Sequence, residues 1–154
     1  MKIVFADVDG CLNTHFLHPI GYTTIDKDKA ALFNQILYET GAYFVLSSAW
    51  RYLLLSGSMN LDGLQNLLLS HWVEGRRLVG VTREDISVEE SDRGKQITDW
   101  LCSHLNISSG KDFKYVVIDD LDLGISAADH PFIHVDGKIG LTEEHVEEAI
   151  RLLS

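Results

Sequence analysis

The sequence predicts an α/β protein: a three-layer sandwich with a mostly parallel central sheet and helices on both faces. Short apolar runs alternate with longer amphipathic stretches, the pattern of strand–helix–strand units. The first of those runs, Ile3-Val4-Phe5-Ala6, is apolar at consecutive positions, as in a strand buried on both faces. Polar clusters follow three of the runs directly: Asp7 and Asp9, Ser47 and Ser48, Asp119 and Asp120. The carboxyl ends of strands are where open α/β sheets gather their ligands.

In chain order, Lys2 to Ala6 predicts the first strand, and Gly10 allows a sharp turn after Asp7-Val8-Asp9. A loop with His15, His18, Pro19 and Gly21 follows. Asp26 suits the N-cap of a helix with an apolar stripe of Ala30, Leu32, Phe33, Ile36 and Leu37, and Gly41 suits its stop. Ala42 to Leu46 is a second strand, running into Ser47-Ser48-Ala49-Trp50-Arg51. Leu61 to Trp72 predicts a helix with Leu64, Leu67, Leu68 and Trp72 at helical spacing, and Leu78 to Val81 a short strand. Ser91 can cap a third helix, with Lys95 in its first turn and Ile97, Trp100, Leu101 and Leu105 on one face. Tyr115 to Ile118 is a strand ending in Asp119-Asp120, and Phe132 to Val135 is another before a turn at Asp136-Gly137. Thr142 caps a last helix that turns Val146, Ile150 and Leu153 inward.

A chain of 154 residues is expected to form a single domain, 1–154, long enough to bury a core. Its net charge of −10 disfavours extended, non-specific contact with phosphate backbones, which needs a basic face. Basic residues gather only at Arg76-Arg77 and at Arg93 and Lys95, which still permits a pocket for a single phosphate end. No segment approaches the roughly 18 apolar residues of a membrane helix, and no secretory leader is evident. Cys11 and Cys102 form neither a disulfide framework nor a zinc set. A cytoplasmic protein without a membrane partner is the simplest expectation.

Side chains two apart on a strand share a direction, so Asp7 and Asp9 point the same way at a strand end. That arrangement suits a divalent cation and a phosphoryl group. Alone, such a pair is as often a turn former; Ser47 alone would be a turn residue and Lys95 a solvated charge. Together and in order, Asp7-Val8-Asp9-Gly10-Cys11-Leu12-Asn13, Ser47, Lys95 and Ile118-Asp119-Asp120 resemble the haloacid dehalogenase-like (HAD) superfamily of phosphohydrolases. The strings Leu46-Ser47-Ser48-Ala49-Trp50-Arg51 and Ile118-Asp119-Asp120, with Gly140-Leu141-Thr142 before the last helix, resemble one branch more narrowly. It comprises the small HAD domains found alone or attached to RNA-repair enzymes.

The resemblance implies a Rossmannoid fold and a Mg²⁺-dependent phosphatase working through an aspartyl-phosphate. Asp7 would be the nucleophile, and Asp9 the acid that protonates the leaving oxygen and then activates water. Asp7, the Asp9 backbone carbonyl and an acid from Asp119 or Asp120 would hold Mg²⁺, with Asp122 assisting. Ser47 or Ser48 would bind a phosphoryl oxygen, the former favoured because it directly follows the apolar run. Lys95 would offset negative charge, and Arg51 would take a second substrate phosphate or lie at the surface. The gaps between motifs are too short for a full cap. An open site fits a large substrate such as a nucleic-acid end or phosphoprotein, or a small molecule handled loosely. Two alternatives stand beside this: a catalytically silent HAD-like binding scaffold, and a receiver-like phosphoacceptor module, whose acid pair comes first and phosphorylated Asp mid-sheet.

Overall fold

The computed structural model describes residues 1–14, 24–82, 92–105 and 113–154. Five strands form one all-parallel sheet: β1 (Lys2–Ala6), β2 (Tyr43–Leu46), β3 (Leu78–Val81), β4 (Lys114–Asp119) and β5 (Phe132–His134). Their spatial order is β3-β2-β1-β4-β5, so β1 lies at the centre. Five α-helices surround them: α1 (Lys27–Thr40), α2 (Tyr52–Leu55), α3 (Leu61–Ser70), α4 (Arg93–His104) and α5 (Glu143–Leu153).

Strand alternation divides the core in two. Val4, Ala6, Phe44, Leu46, Val116 and Ile118 pack with residues of α1, α3 and α5. Ile3, Phe5, Val45 and Val117 pack on the other side with Ile97 and Trp100 of α4. Phe5 meets the Trp100 ring edge-on at 5.4 Å, and Phe33 meets Phe44 likewise at 5.2 Å. Cover on both faces is why the strands read as unbroken apolar runs. Every helix is used in this cover, α2 through Leu53 and Leu54, and among the described residues none is left to build a cap domain. No helix among them is long and apolar enough to cross a membrane.

The ends of the elements follow local chemistry. Gly41 closes α1 in the left-handed region at φ 71°. The helix predicted to reach Trp72 stops at Ser70, because Trp72 turns to φ 65°. Its ring therefore lies outside, 52% exposed with the Lys27 amine 5.8 Å from its centroid, and Val73 fills the inward position. The cap of α4 is Asp92, whose carboxylate accepts the Lys95 N–H at 2.9 Å. Ser91 and the loop carrying His15, His18, Pro19 and Gly21 lie outside the described residues. In α4, Ile97 and Trp100 are buried and Leu101 half-buried, as is Leu105 just past its end; in α5, Val146, Ala149 and Leu153 are buried and Ile150 half-buried.

The register places the polar clusters level with one another. Ala6 stands beside Leu46 on one side and Ile118 on the other. One residue further on, Asp7 N–H donates to the Ile118 carbonyl (3.0 Å) and Ser47 N–H to the Ala6 carbonyl (3.0 Å). Thr82 N–H donates to the Leu46 carbonyl at 2.9 Å. Thr82, Ser47, Asp7 and Asp119 thus form a row along the carboxyl edge of the sheet.

Candidate active site

Asp7 is delivered by the end of β1. The chain then turns tightly, with the Cys11 and Leu12 N–H groups returning to the Val8 carbonyl at 3.1 and 2.8 Å. Gly10 makes this possible at φ 86°, and a Cβ there would stand 2.4 Å from Asp120 Oδ2. Only glycine lets the turn after β1 and the turn after β4 come so close. Asn13, almost wholly buried, donates to Asp9 Oδ1 at 3.0 Å and accepts the Gly10 N–H at 3.0 Å.

By alternation, Asp7, Ser47 and Asp119 share the side of Phe5, Val45 and Val117, the side covered by α4. From the first turn of α4, Arg93 places Nη1 3.6 Å from Asp7 Oδ1 and 2.5 Å from Asp119 Oδ2. The other Asp119 oxygen accepts the Leu121 N–H at 3.0 Å. Asp120, where the strand has ended, brings a carboxylate oxygen within 4.8 Å of one of Asp7. Burial pushes the Asp7 carboxyl well above the usual carboxylate range, Asp119 and Asp120 push the same way, and Arg93 offsets only part. Burial also raises Asp119, against the pull of the Arg93 guanidinium and the Leu121 N–H. Burial and the nearby Asp7 raise Cys11, so its thiol is neutral.

Among the described residues, the cation at these acids is Arg93. Lys95, two residues on and about 200° round the helix, is 51% exposed and pairs with Asp99 at 3.1 Å. The sequence marks Arg93 only as part of a basic group with Lys95, yet a sharper signal for it exists. It stands four and seven residues before Ile97 and Trp100, on the helix face that predicts burial.

The two serines differ in their bonding. Ser48 Oγ accepts the Trp50 N–H at 3.1 Å, starting a 3₁₀ turn over Ala49–Arg51. Ser47 Oγ is wholly buried and has no hydrogen-bond partner among the described residues. A buried hydroxyl without a partner is costly, and a bound oxygen at the edge of the row would satisfy it. Arg51, a candidate for a second substrate phosphate, is 2% exposed and donates to the Ser47 carbonyl (2.8 Å) and to Thr82 Oγ1 (3.3 Å). It braces the loop that carries Ser47. Asp122 accepts the Ser126 N–H at 2.8 Å, which lowers its pKa.

The donor set suits a divalent cation. Asp7, Cys11 and Asp120 offer ligand atoms all within 4.8 Å of one another. Two of the three are carboxylates, and Asp119 and Asp120 lie close enough to add to the burial that raises the Asp7 pKa. A hard cation with oxygen ligands would offset their charge. The arrangement can hold such an ion, present a carboxylate oxygen to a phosphoryl group and meet its oxygens with Ser47 and Arg93.

A profile of the family described as the HAD domain in Swiss Army Knife RNA repair proteins matches residues 3–146. No curated protein and no solved structure matches the chain. The match runs from β1 into α5 and takes in the whole row of site residues. With an all-parallel sheet and aspartates at the ends of β1 and β4, this chain belongs to the HAD domains of Swiss Army Knife RNA repair proteins.

Proposed function

We propose that the chain is a Mg²⁺-dependent phosphomonoester hydrolase acting through an aspartyl-phosphate, on terminal phosphates of nucleic acids. The observation that carries this reading is the buried carboxylate of Asp7, level with the Ser47 hydroxyl, which has no partner among the described residues, and beside Arg93. Asp7, Asp120 and the Asp9 backbone carbonyl would hold Mg²⁺, which when bound screens the phosphate from the carboxylates around it. Asp7 attacks phosphorus, the bond to the leaving oxygen breaks, and Asp9 gives that oxygen a proton. Asp9 then takes a proton from water as the water attacks phosphorus, and the bond to Asp7 breaks. Ser47 donates to a phosphoryl oxygen, and Arg93, steadied by Asp119, offsets charge on the phosphoryl group and on Asp7. Lys95 then lies outside the reacting centre and Arg51 acts by holding Ser47 in place. The repair proteins named by the family support a nucleic-acid end as substrate, and the acidic surface favours reading one phosphate over gripping a backbone.

The test is phosphate release from p-nitrophenyl phosphate and from 5′- and 3′-phosphorylated oligonucleotides, with Mg²⁺ or EDTA. Wild type should turn over with Mg²⁺ alone. Asp7→Asn should stay folded and lose about three or more orders of magnitude, as expected for a nucleophile. Normal turnover by Asp7→Asn would rule out the covalent route. Silence on every ester would leave the silent binding scaffold as the better reading.

A further inference from the structure

We infer that Asn13 is a positioning residue that fixes the orientation in which the Asp9 carboxyl meets the reacting group; this rests on Asp9 being the acid proposed above. Asn13 is 3% exposed and spans three partners. The Gly10 N–H can only donate, so the Asn13 atom 3.0 Å from it is the amide oxygen. The amide nitrogen then falls 3.0 Å from Asp9 Oδ1 and 3.0 Å from the Thr24 carbonyl, both acceptors. A flipped amide would set nitrogen against N–H and oxygen against two oxygens, so this orientation alone satisfies all three contacts.

The consequence falls on Asp9. With Oδ1 receiving the Asn13 N–H, the plane of the carboxyl group is fixed, and turning it out of that plane breaks the contact. The other N–H of the same amide is anchored on Thr24, eleven residues further along the chain, so the carboxyl is tied to the approach to α1 as well as to its own turn. Asn13 spends half its donor capacity on the carboxylate whose aim matters, and an error of about 1 Å in such an aim can cost of order 10²-fold in rate.

The experiment compares kcat on p-nitrophenyl phosphate, whose leaving group departs without a proton, with kcat on an alkyl phosphate, whose leaving group needs one. Asp9→Asn, measured first, should lose far more on the alkyl ester. Equal losses there would overturn the acid role of Asp9, and this inference with it. With that established, Asn13→Ala should lower the alkyl-to-aryl ratio of kcat by about tenfold or more, a share of the 10²–10⁴ a general acid contributes, with KM little changed. Asn13→Asp keeps the acceptor for Gly10 N–H and the shape of the side chain while losing both donors. It should show the same fall in ratio and covers the case in which Asn13→Ala does not fold. An unchanged ratio in a folded variant, whether the two rates fall together or not at all, overturns the inference while leaving Asp9 as the acid.

Discussion

At the scale of single residues, the site is a problem of charge. Asp7 and Asp119 are both buried, 5% and 0% exposed, and among the described residues the positive group at hydrogen-bonding or ion-pair distance from both is Arg93. A guanidinium suits this place because it is weakly hydrated and keeps its proton when buried. Removing it would leave carboxylates facing one another across a water-poor space, an error costing about 3–5 kcal/mol when a buried pair loses one partner. Arg93→Ala should therefore lose both stability and, by about 10²-fold or more, turnover. Lys95→Ala removes a surface pair with Asp99, worth at most about 1 kcal/mol, and should leave turnover within about threefold, as for a surface change away from the site. Steady-state kinetics of the two variants side by side decide the matter. Comparable losses from both would place Lys95 in the reacting centre after all.

At the scale of elements, α4 is the strap that brings Arg93 to the sheet. Its start lies directly on the turn after β4: Gly94 N–H donates to the Leu123 carbonyl at 3.0 Å. A Cβ on Gly94 would stand 2.1 Å from the Gly124 carbonyl oxygen, which is backbone and has nowhere to go. Gly124 in turn takes φ 79°, open to glycine at little cost. His130 Nε2 lies 2.9 Å from the Gly94 carbonyl oxygen, and its other ring nitrogen 2.9 Å from the Tyr115 hydroxyl, pinning the same junction from the side of β4. Gly94→Ala should thus cost about 1–3 kcal/mol through overpacking, and push Arg93 out of reach of Asp119. A fall in turnover well below the melting temperature, larger than for a core variant of equal stability, would show that the junction sets the site. Equal falls would make it a matter of stability alone.

At the scale of the whole molecule, the carboxylates make stability depend on pH and on metal. The folded-state pKa values of Asp7 and Asp119 lie above their unfolded values, so the folded protein holds their protons longer. Their stabilising contribution is complete below the unfolded carboxylate range, about pH 4, and is lost as pH rises through the folded pKa values. In EDTA, the melting temperature should therefore decline from about pH 4 upward, as far as these groups govern it. Asp7→Asn should flatten that decline and melt higher than wild type at neutral pH. Mg²⁺ should raise the wild-type melting temperature more at pH 7 than at pH 5, because the ion binds the deprotonated acids. Thermal melts over that range, with and without Mg²⁺, check all three. A Mg²⁺ effect that is absent, or equal in Asp7→Asn, would mean the acids do not form a metal site.

The strands, most helix spans and the order of the motifs were legible in the sequence, because each depends on residues a few positions apart. Ile3 to Ala6 reads as a buried strand from its own side chains, and Asp7 and Asp9 share a direction because strands alternate. Gly41 ends a helix by its own backbone freedom. The exact stop at Ser70 was not legible, since it turned on the left-handed backbone of Trp72. The choice within each polar cluster belonged to tertiary structure. Ser47 and Ser48 are adjacent and chemically identical, and differ because one caps a turn while the other is buried beside Asp7 with its hydroxyl unpartnered among the described residues. Asp119 and Asp120 differ because the end of β4 sends one to Arg93 and brings the other within 4.8 Å of Asp7. Arg93 and Lys95 differ by the rotation of α4 against the sheet, set by Ile97 and Trp100 packing on Phe5 and Val117. Local sequence determines which groups arrive at an edge, because propensity and alternation act over a few residues. Which of them meet is decided by packing between elements distant in the chain, because only there do burial and charge pairing act on two groups at once.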